Sequence, residues 1–167
     1  MLSLPQPRPT VFGILPDGAA GIRATLRIMV QLTRAWKKSP SINALACELV
    51  KDLPQGDKNA EVQALQEFVR DNIRYTNDTT SVETLRTPQA TLEMAVGDCD
   101  DKALLLATLL ESIGRSTRFC AACLVDGQWH VMCQVRIGSK WYTLETIVNV
   151  DAGWHPSGVV RQIVAHN

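Results

Sequence analysis

Three residue types in this chain have the chemistry of acyl transfer: a cysteine, a histidine and a carboxylate. Cys99 stands in Gly97-Asp98-Cys99-Asp100-Asp101, directly ahead of the apolar run Ala103-Leu104-Leu105-Leu106-Ala107-Thr108-Leu109-Leu110. Gly97 and Asp98 have the turn and capping chemistry of a helix start, and Gly114 stands where a left-handed stop belongs. The thiol is therefore expected in the first turn of a helix, among unsatisfied N–H groups at the positive end of the helix dipole, which favours thiolate. Asp98, Asp100 and Asp101 oppose that effect, so a base is required. Around this helix Ala103, Leu104, Leu106, Ala107, Leu110 and Ile113 turn inward, while Asp101, Thr108, Glu111, Ser112 and Arg115 share the one face left for water. The reading is a central helix sunk in the core.

The base comes from the second half of the chain, where the apolar period changes from 3.6 to 2. Residues 118–125, 128–137 and 140–147 read as strands joined by two-residue turns at Asp126-Gly127 and Gly138-Ser139. With Gly138-Ser139 as a two-residue loop, Ile137 faces Lys140, Met132 opposes Glu145 and His130 opposes Ile147. His130 and Glu145 then share a face as diagonal neighbours within side-chain reach. By the other turn, Cys123 is expected opposite His130. A helix-start cysteine, a strand histidine and a carboxylate on the adjacent strand form a nucleophile, base and orienter set.

The elements that must position this set are helices. Four prolines (Pro5, Pro7, Pro9, Pro16) predict an extended segment over 1–18. A helix is predicted over 19–37, with Ile22, Leu26, Met29, Val30 and Trp36 on one face. Arg23, Arg27, Gln31, Arg34 and Lys38 form a basic stripe on another, read as a solvated face. Ser39-Pro40-Ser41 caps a second helix over 42–51, and a third runs over 59–72 with Val62, Leu65, Phe68, Val69 and Ile73 inward. Residues 76–86 lack periodicity and predict a long surface loop. Thr87-Pro88 opens a short helix over 88–94, and residues 159–164 add a fourth strand. Helices first and an antiparallel meander afterwards predict an α+β fold. The whole chain, 1–167, reads as one domain: extended segment 1–18, N-terminal helices 19–57, catalytic core 58–150 and C-terminal strand and tail 151–167.

Composition narrows the function classes. Lys/Arg and Asp/Glu number 17 each, so net charge is zero and nucleic acid is not the expected main partner. Residues 1–40 carry six bases against Asp17 alone, so the basic N-terminal part is expected to pack near an acidic remainder. No run approaches a membrane span, and residues 1–5 lack the charged start and apolar stretch of a secretory signal. Five cysteines, an odd number, predict free thiols in a reducing compartment, hence a cytoplasmic or virion-associated protein. Cys120 and Cys123, three apart on one strand, point to opposite faces and cannot chelate one ion. No calcium-loop spacing is present around the aspartates, so no metal or cofactor is implied. Asn77-Asp78-Thr79 fits a glycosylation acceptor but, without a secretory signal, carries no meaning. His155, in a glycine-rich turn, reads as structural.

The blocks Gly97 to Leu110, Gly114 before Arg118, His130-Val131 and Trp141-Tyr142-Thr143-Leu144-Glu145-Thr146 resemble the transglutaminase-like superfamily, as does the lead-in Ile73-Arg74-Tyr75. The resemblance implies a papain-like core with Cys99 as nucleophile, His130 as base and Glu145 as third member. It also implies Tyr75 as a candidate oxyanion donor beside the nucleophile's own N–H. The family usually has Asp where this chain has Glu145, and often an aromatic residue where it has Met132. The stretch from Leu15 to Met29 resembles transglutaminase-like proteins of phages and prophages. The expected function is attack of Cys99 on an amide or acyl carbon of a protein or peptide, through a thioester. Water resolves it in a peptidase or amidase and an amine in a transglutaminase, with hydrolysis favoured because water is always available. The alternative is a non-catalytic docking module that contacts phage structural proteins.

Overall fold

A computed structural model of the chain describes residues 10–11, 18–77 and 84–167. The predicted extended segment therefore lies largely outside the described residues, as do Leu15 to Asp17 of the phage-like stretch, Asp78-Thr79 of the acceptor motif and the middle of the predicted 76–86 loop. In chain order the helices are α1 (Ala19–Trp36), α2 (Pro40–Val50), α3 (Lys58–Asn72), α4 (Pro88–Met94) and α5 (Cys99–Ser112). The strands are β1 (Thr10–Val11), β2 (Arg74–Tyr75), β3 (Thr84–Leu85), β4 (Val96–Gly97), β5 (Thr117–Leu124), β6 (Trp129–Ile137), β7 (Lys140–Leu144) and β8 (Val159–His166). The fold is α+β: helices lie against one face of a four-stranded antiparallel sheet of order β7-β6-β5-β8. No helix among the described residues is long and apolar enough to cross a membrane.

Local chemistry explains the boundaries of α5. Asp98 is its N-cap and accepts from the Asp101 N–H at 3.0 Å, while Asp101 reaches back to the Asp98 N–H at 3.3 Å, a reciprocal capping box. At the other end Gly114 adopts φ +80°. Its N–H and that of Arg115 close on the Glu111 and Leu110 carbonyls, satisfying two orphan acceptors.

The predicted water face of α5 does not exist along most of its length. Every residue from Asp101 to Leu110 is buried, Thr108 included. The helix is enclosed by α1, α2, α3 and α4 on its flanks and by β6 beneath, and this enclosure overrides the amphipathic reading. Thr108 meets burial by donating to the Leu104 carbonyl at 2.7 Å. Asp101 meets it with Arg86, whose main-chain N–H and guanidinium approach its two oxygens at 2.7 and 2.5 Å. The predicted 76–86 surface loop is accordingly not all surface. Leu85 is buried and β3 pairs antiparallel with β1, placing Thr10 opposite Leu85.

The Gly138-Ser139 register is as predicted from Ile137 opposite Lys140 to Cys133 opposite Leu144, but the ladder stops there, short of the predicted residue 147, so Met132–Glu145 and His130–Ile147 are not ladder pairs. The other hairpin is shifted by one residue. Its loop has three residues, Val125, Asp126 and Gly127: Leu124 and Gln128 close it, Gly127 takes φ +82°, and the Asp126 carboxylate accepts the Gln128 N–H at 3.0 Å. Ala122, not Cys123, therefore stands opposite His130, and Cys123 pairs with Trp129 on the other face. Phe119, Ala121, Val131, Cys133, Val135, Leu144 and Ile163 meet the α5 leucines in the core. On the outer face Arg118 stacks on Trp141 at 4.4 Å, and Thr143 and His155 are hydrogen-bonded at 3.3 Å.

Candidate active site

Cys99 is the first residue of α5, and the turn that delivers it tolerates no side chain at position 97. A Cβ on Gly97 would stand 2.7 Å from the Asp101 Cβ, so glycine permits the close approach on which the capping box depends. β4, which contains Gly97, pairs in parallel with β2 and sets Tyr75 opposite Gly97. Tyr75 is thus beside the strand that leads into Cys99, exposed, and its hydroxyl donates to the Asn77 side chain at 2.7 Å.

The sulfur is held between two elements. Cys99 Sγ donates to Asp100 Oδ1 at 3.4 Å, and the main-chain N–H of Val131, next to His130, is directed at it. Burial pushes the thiol pKa well up, the Asp100 and Asp98 charges push it further, and the Val131 N–H only partly opposes them. Desolvation and the two carboxylates thus act against the thiolate expected from the helix start. Among the remaining thiols, burial lifts Cys120 and Cys133, and all five cysteines are free.

His130 Nε2 and Glu145 Oε2 lie 2.6 Å apart. β7 ends at Leu144, so Glu145 falls one residue beyond the ladder and is held by other means. Its Oε1 accepts the N–H groups of Thr146 and Ile147 at 2.7 and 2.6 Å, and its carbonyl accepts the Gln66 amide at 2.9 Å. The residue is buried. Burial works to raise its carboxyl, but the His130 hydrogen bond and charge together with the Ile147 and Thr146 donors outweigh it, leaving the pKa below its ordinary value. A carboxylate on Nε2 fixes the proton there and leaves Nδ1 as the free ring nitrogen, able to accept a proton.

The structure thus joins His130 to Glu145 directly and places the Cys99 sulfur at the adjacent Val131 peptide. Sequence reasoning passed over Lys102, Gln66 and Arg86, whose partners lie 15 to 84 residues away; the only sequence signal was Lys102, a charge directly ahead of the apolar run of α5. A cleft of about 340 Å³ of mixed polar and apolar lining, with Gln66, Arg70, Asn149 and Asp151 beside Val62 and Ile137, lies between α3 and the segment after β7. Cys99 and His130 do not line it. Among the described residues no group of three or more His, Cys, Asp or Glu side chains gathers as a metal site.

The profile of the transglutaminase-like superfamily matches residues 47–146, more than half of the chain, a span within which the three candidate residues fall. The chain belongs to this superfamily. Among solved structures it is similar to a candidate cysteine protease from Cytophaga hutchinsonii, at TM-score 0.57 and 16% identity over 84% of this chain and 52% of that one. It is also similar to a candidate protease from Parabacteroides distasonis, at TM-score 0.57 and 16% identity over 72% of this chain and 26% of that one. A third similar structure is calcium-bound LapG of Legionella pneumophila, at TM-score 0.52 and 16% identity over 74% of this chain and 73% of that one. At these identities the likeness is one of fold, and the chain spans about half and about a quarter of the first two proteins. No curated protein matches in sequence.

Proposed function

We propose that this transglutaminase-like protein is a cysteine-nucleophile enzyme acting on an amide or acyl group of a protein or peptide. The observation that carries the reading is the 2.6 Å contact of His130 Nε2 with a buried Glu145 whose other oxygen is held by two N–H donors. Glu145 keeps the Nε2–H tautomer, and Nδ1 takes the Cys99 proton as Sγ bonds to the acyl carbon. The high thiol pKa makes this base necessary, since little thiolate exists beforehand. The His130 proton then passes to the leaving amine as the C–N bond breaks, leaving a thioester on Cys99. Water resolves the thioester in hydrolysis and an amine in acyl transfer. Hydrolysis is favoured, because water needs no acceptor site. The N–H of Cys99 itself, at the helix start, and the Tyr75 side chain are the candidate oxyanion donors.

One observation favours a second reading, a non-catalytic docking module: the Cys99 thiol is turned to Asp100. Incubation with a casein digest, with and without monodansylcadaverine, separates the possibilities. New free amino groups support hydrolysis, and dye incorporation into peptides supports transfer. Neither product, with Cys99 also inert to iodoacetamide, refutes the enzyme.

A further inference from the structure

Two parts of the candidate triad have no direct tie to each other. Cys99 belongs to α5, whereas Glu145 lies past the end of β7 in a segment without ladder hydrogen bonds. One helix, α3, touches both. From the middle of α3, the buried Gln66 side chain donates to the Glu145 carbonyl at 2.9 Å and to the Val150 carbonyl at 3.4 Å. One turn later, the Arg70 guanidinium donates to the Asn149 side chain at 2.8 Å. At the C-terminal end of α3, orphan carbonyls face α5. Lys102, one turn beyond Cys99, donates its ammonium to the Ile73 carbonyl at 2.6 Å and to the Arg70 carbonyl at 3.3 Å.

Lys102 is a lysine at 2% exposure in the core beside the site. Lysine is almost never fully buried without a reason. A cation at a helix C-terminus is favourable, and its charge is also felt by Glu145: burial lowers the Lys102 pKa, while Glu145 and Asp71 oppose that.

We propose that Gln66 and Lys102 are positioning residues that clamp the Glu145 segment and the Cys99 helix to α3, fixing the distance across which His130 must work. Gln66 holds the carboxylate side of the clamp. Lys102 holds the thiol side through the Ile73 and Arg70 carbonyls. The proposal rests on the triad reading above, but its test has a readout independent of the thiol. The short His130–Glu145 hydrogen bond should give a strongly downfield ring N–H proton in the NMR spectrum of the full chain.

The experiment compares Gln66→Met, Lys102→Met, His130→Ala and the remote core variant Ile42→Val with wild type. In folded Gln66→Met and Lys102→Met the downfield proton should be lost or moved upfield. Cys99 alkylation should slow by about 10²-fold, the scale expected when a reacting group is displaced by roughly 1 Å. Ile42→Val, matched for lost melting temperature, should change neither. A wild-type ring proton in folded Gln66→Met overturns the proposal by itself, and that variant decides alone if Lys102→Met does not fold. If His130→Ala leaves alkylation unchanged, the triad reading falls, while the clamp is still judged on the ring proton.

Discussion

Replacing Glu145 with Gln changes one atom and tests the orienting role directly. The carboxylate makes three contacts: Oε1 takes the Thr146 and Ile147 N–H groups at 2.7 and 2.6 Å, and Oε2 meets His130 Nε2 at 2.6 Å. A glutamine has one acceptor oxygen. Two main-chain donors outweigh one ring contact, so the amide oxygen turns to Thr146 and Ile147 and the amide nitrogen faces His130. Nε2 must then accept, the ring proton moves to Nδ1, and the nitrogen needed to take the thiol proton is blocked. A wrong-tautomer loss of this kind costs up to ~10⁴-fold in a serine triad, which corresponds to about 5.4 kcal/mol of barrier. The assay is pseudo-first-order alkylation of Cys99 by iodoacetamide, mapped by mass spectrometry, with thermal melts run in parallel. Because Glu145 is buried and its hydrogen bonds are charge-assisted, the variant should also lose about 1.5–3 kcal/mol of stability at neutral pH. The folded pKa is below the unfolded one. The carboxylate's contribution is therefore fully present above the unfolded value, about 4.3, and disappears as pH falls through the lower folded value. The melting gap between wild type and Glu145→Gln should narrow over that acid range. Folded Glu145→Gln that alkylates at the wild-type rate refutes the orienting role.

Asp100→Asn should lower the Cys99 pKa by removing a carboxylate charge that opposes the thiolate, so the alkylation–pH curve should shift to lower pH; an unmoved curve denies that the Asp100 charge acts on the thiol. Arg86→Met leaves the Asp101 carboxylate buried without its cation and should cost about 3–5 kcal/mol by denaturant titration, whereas a loss no larger than for an exposed residue would mean that the pair is solvated. Gly97→Ala forces its Cβ against Asp101 and should cost about 1–3 kcal/mol in thermal melts, with slower Cys99 alkylation because the first turn of α5 shifts.

Local rules determined much of this protein. Thr87-Pro88 starts α4 at Pro88, Gly114 stops α5, and the Gly138-Ser139 turn fixes a register from which the approach of His130 to Glu145 follows by counting. These are short-range consequences of backbone conformation and period-2 alternation. Other features needed the assembled fold. At Asp126-Gly127 the same dipeptide logic chose a two-residue loop, but a left-handed Gly127 with an Asp126 side-chain contact closes a three-residue loop, and one residue of register put Cys123 on the face opposite to that of His130. The polar side of α5 was legible as a pattern, but which elements cover it depends on how four helices pack around it, and that packing buried Asp101 and Thr108. The state of the thiol was likewise undecided locally. The helix dipole acts within one turn and was readable from Cys99's position, whereas desolvation, the main cause pushing the thiol pKa up, is set by everything folded around the sulfur. Lys102 and Gln66 belong to the same class: their partners are main-chain carbonyls far away in sequence, and no side-chain pattern encodes a carbonyl brought near by tertiary packing.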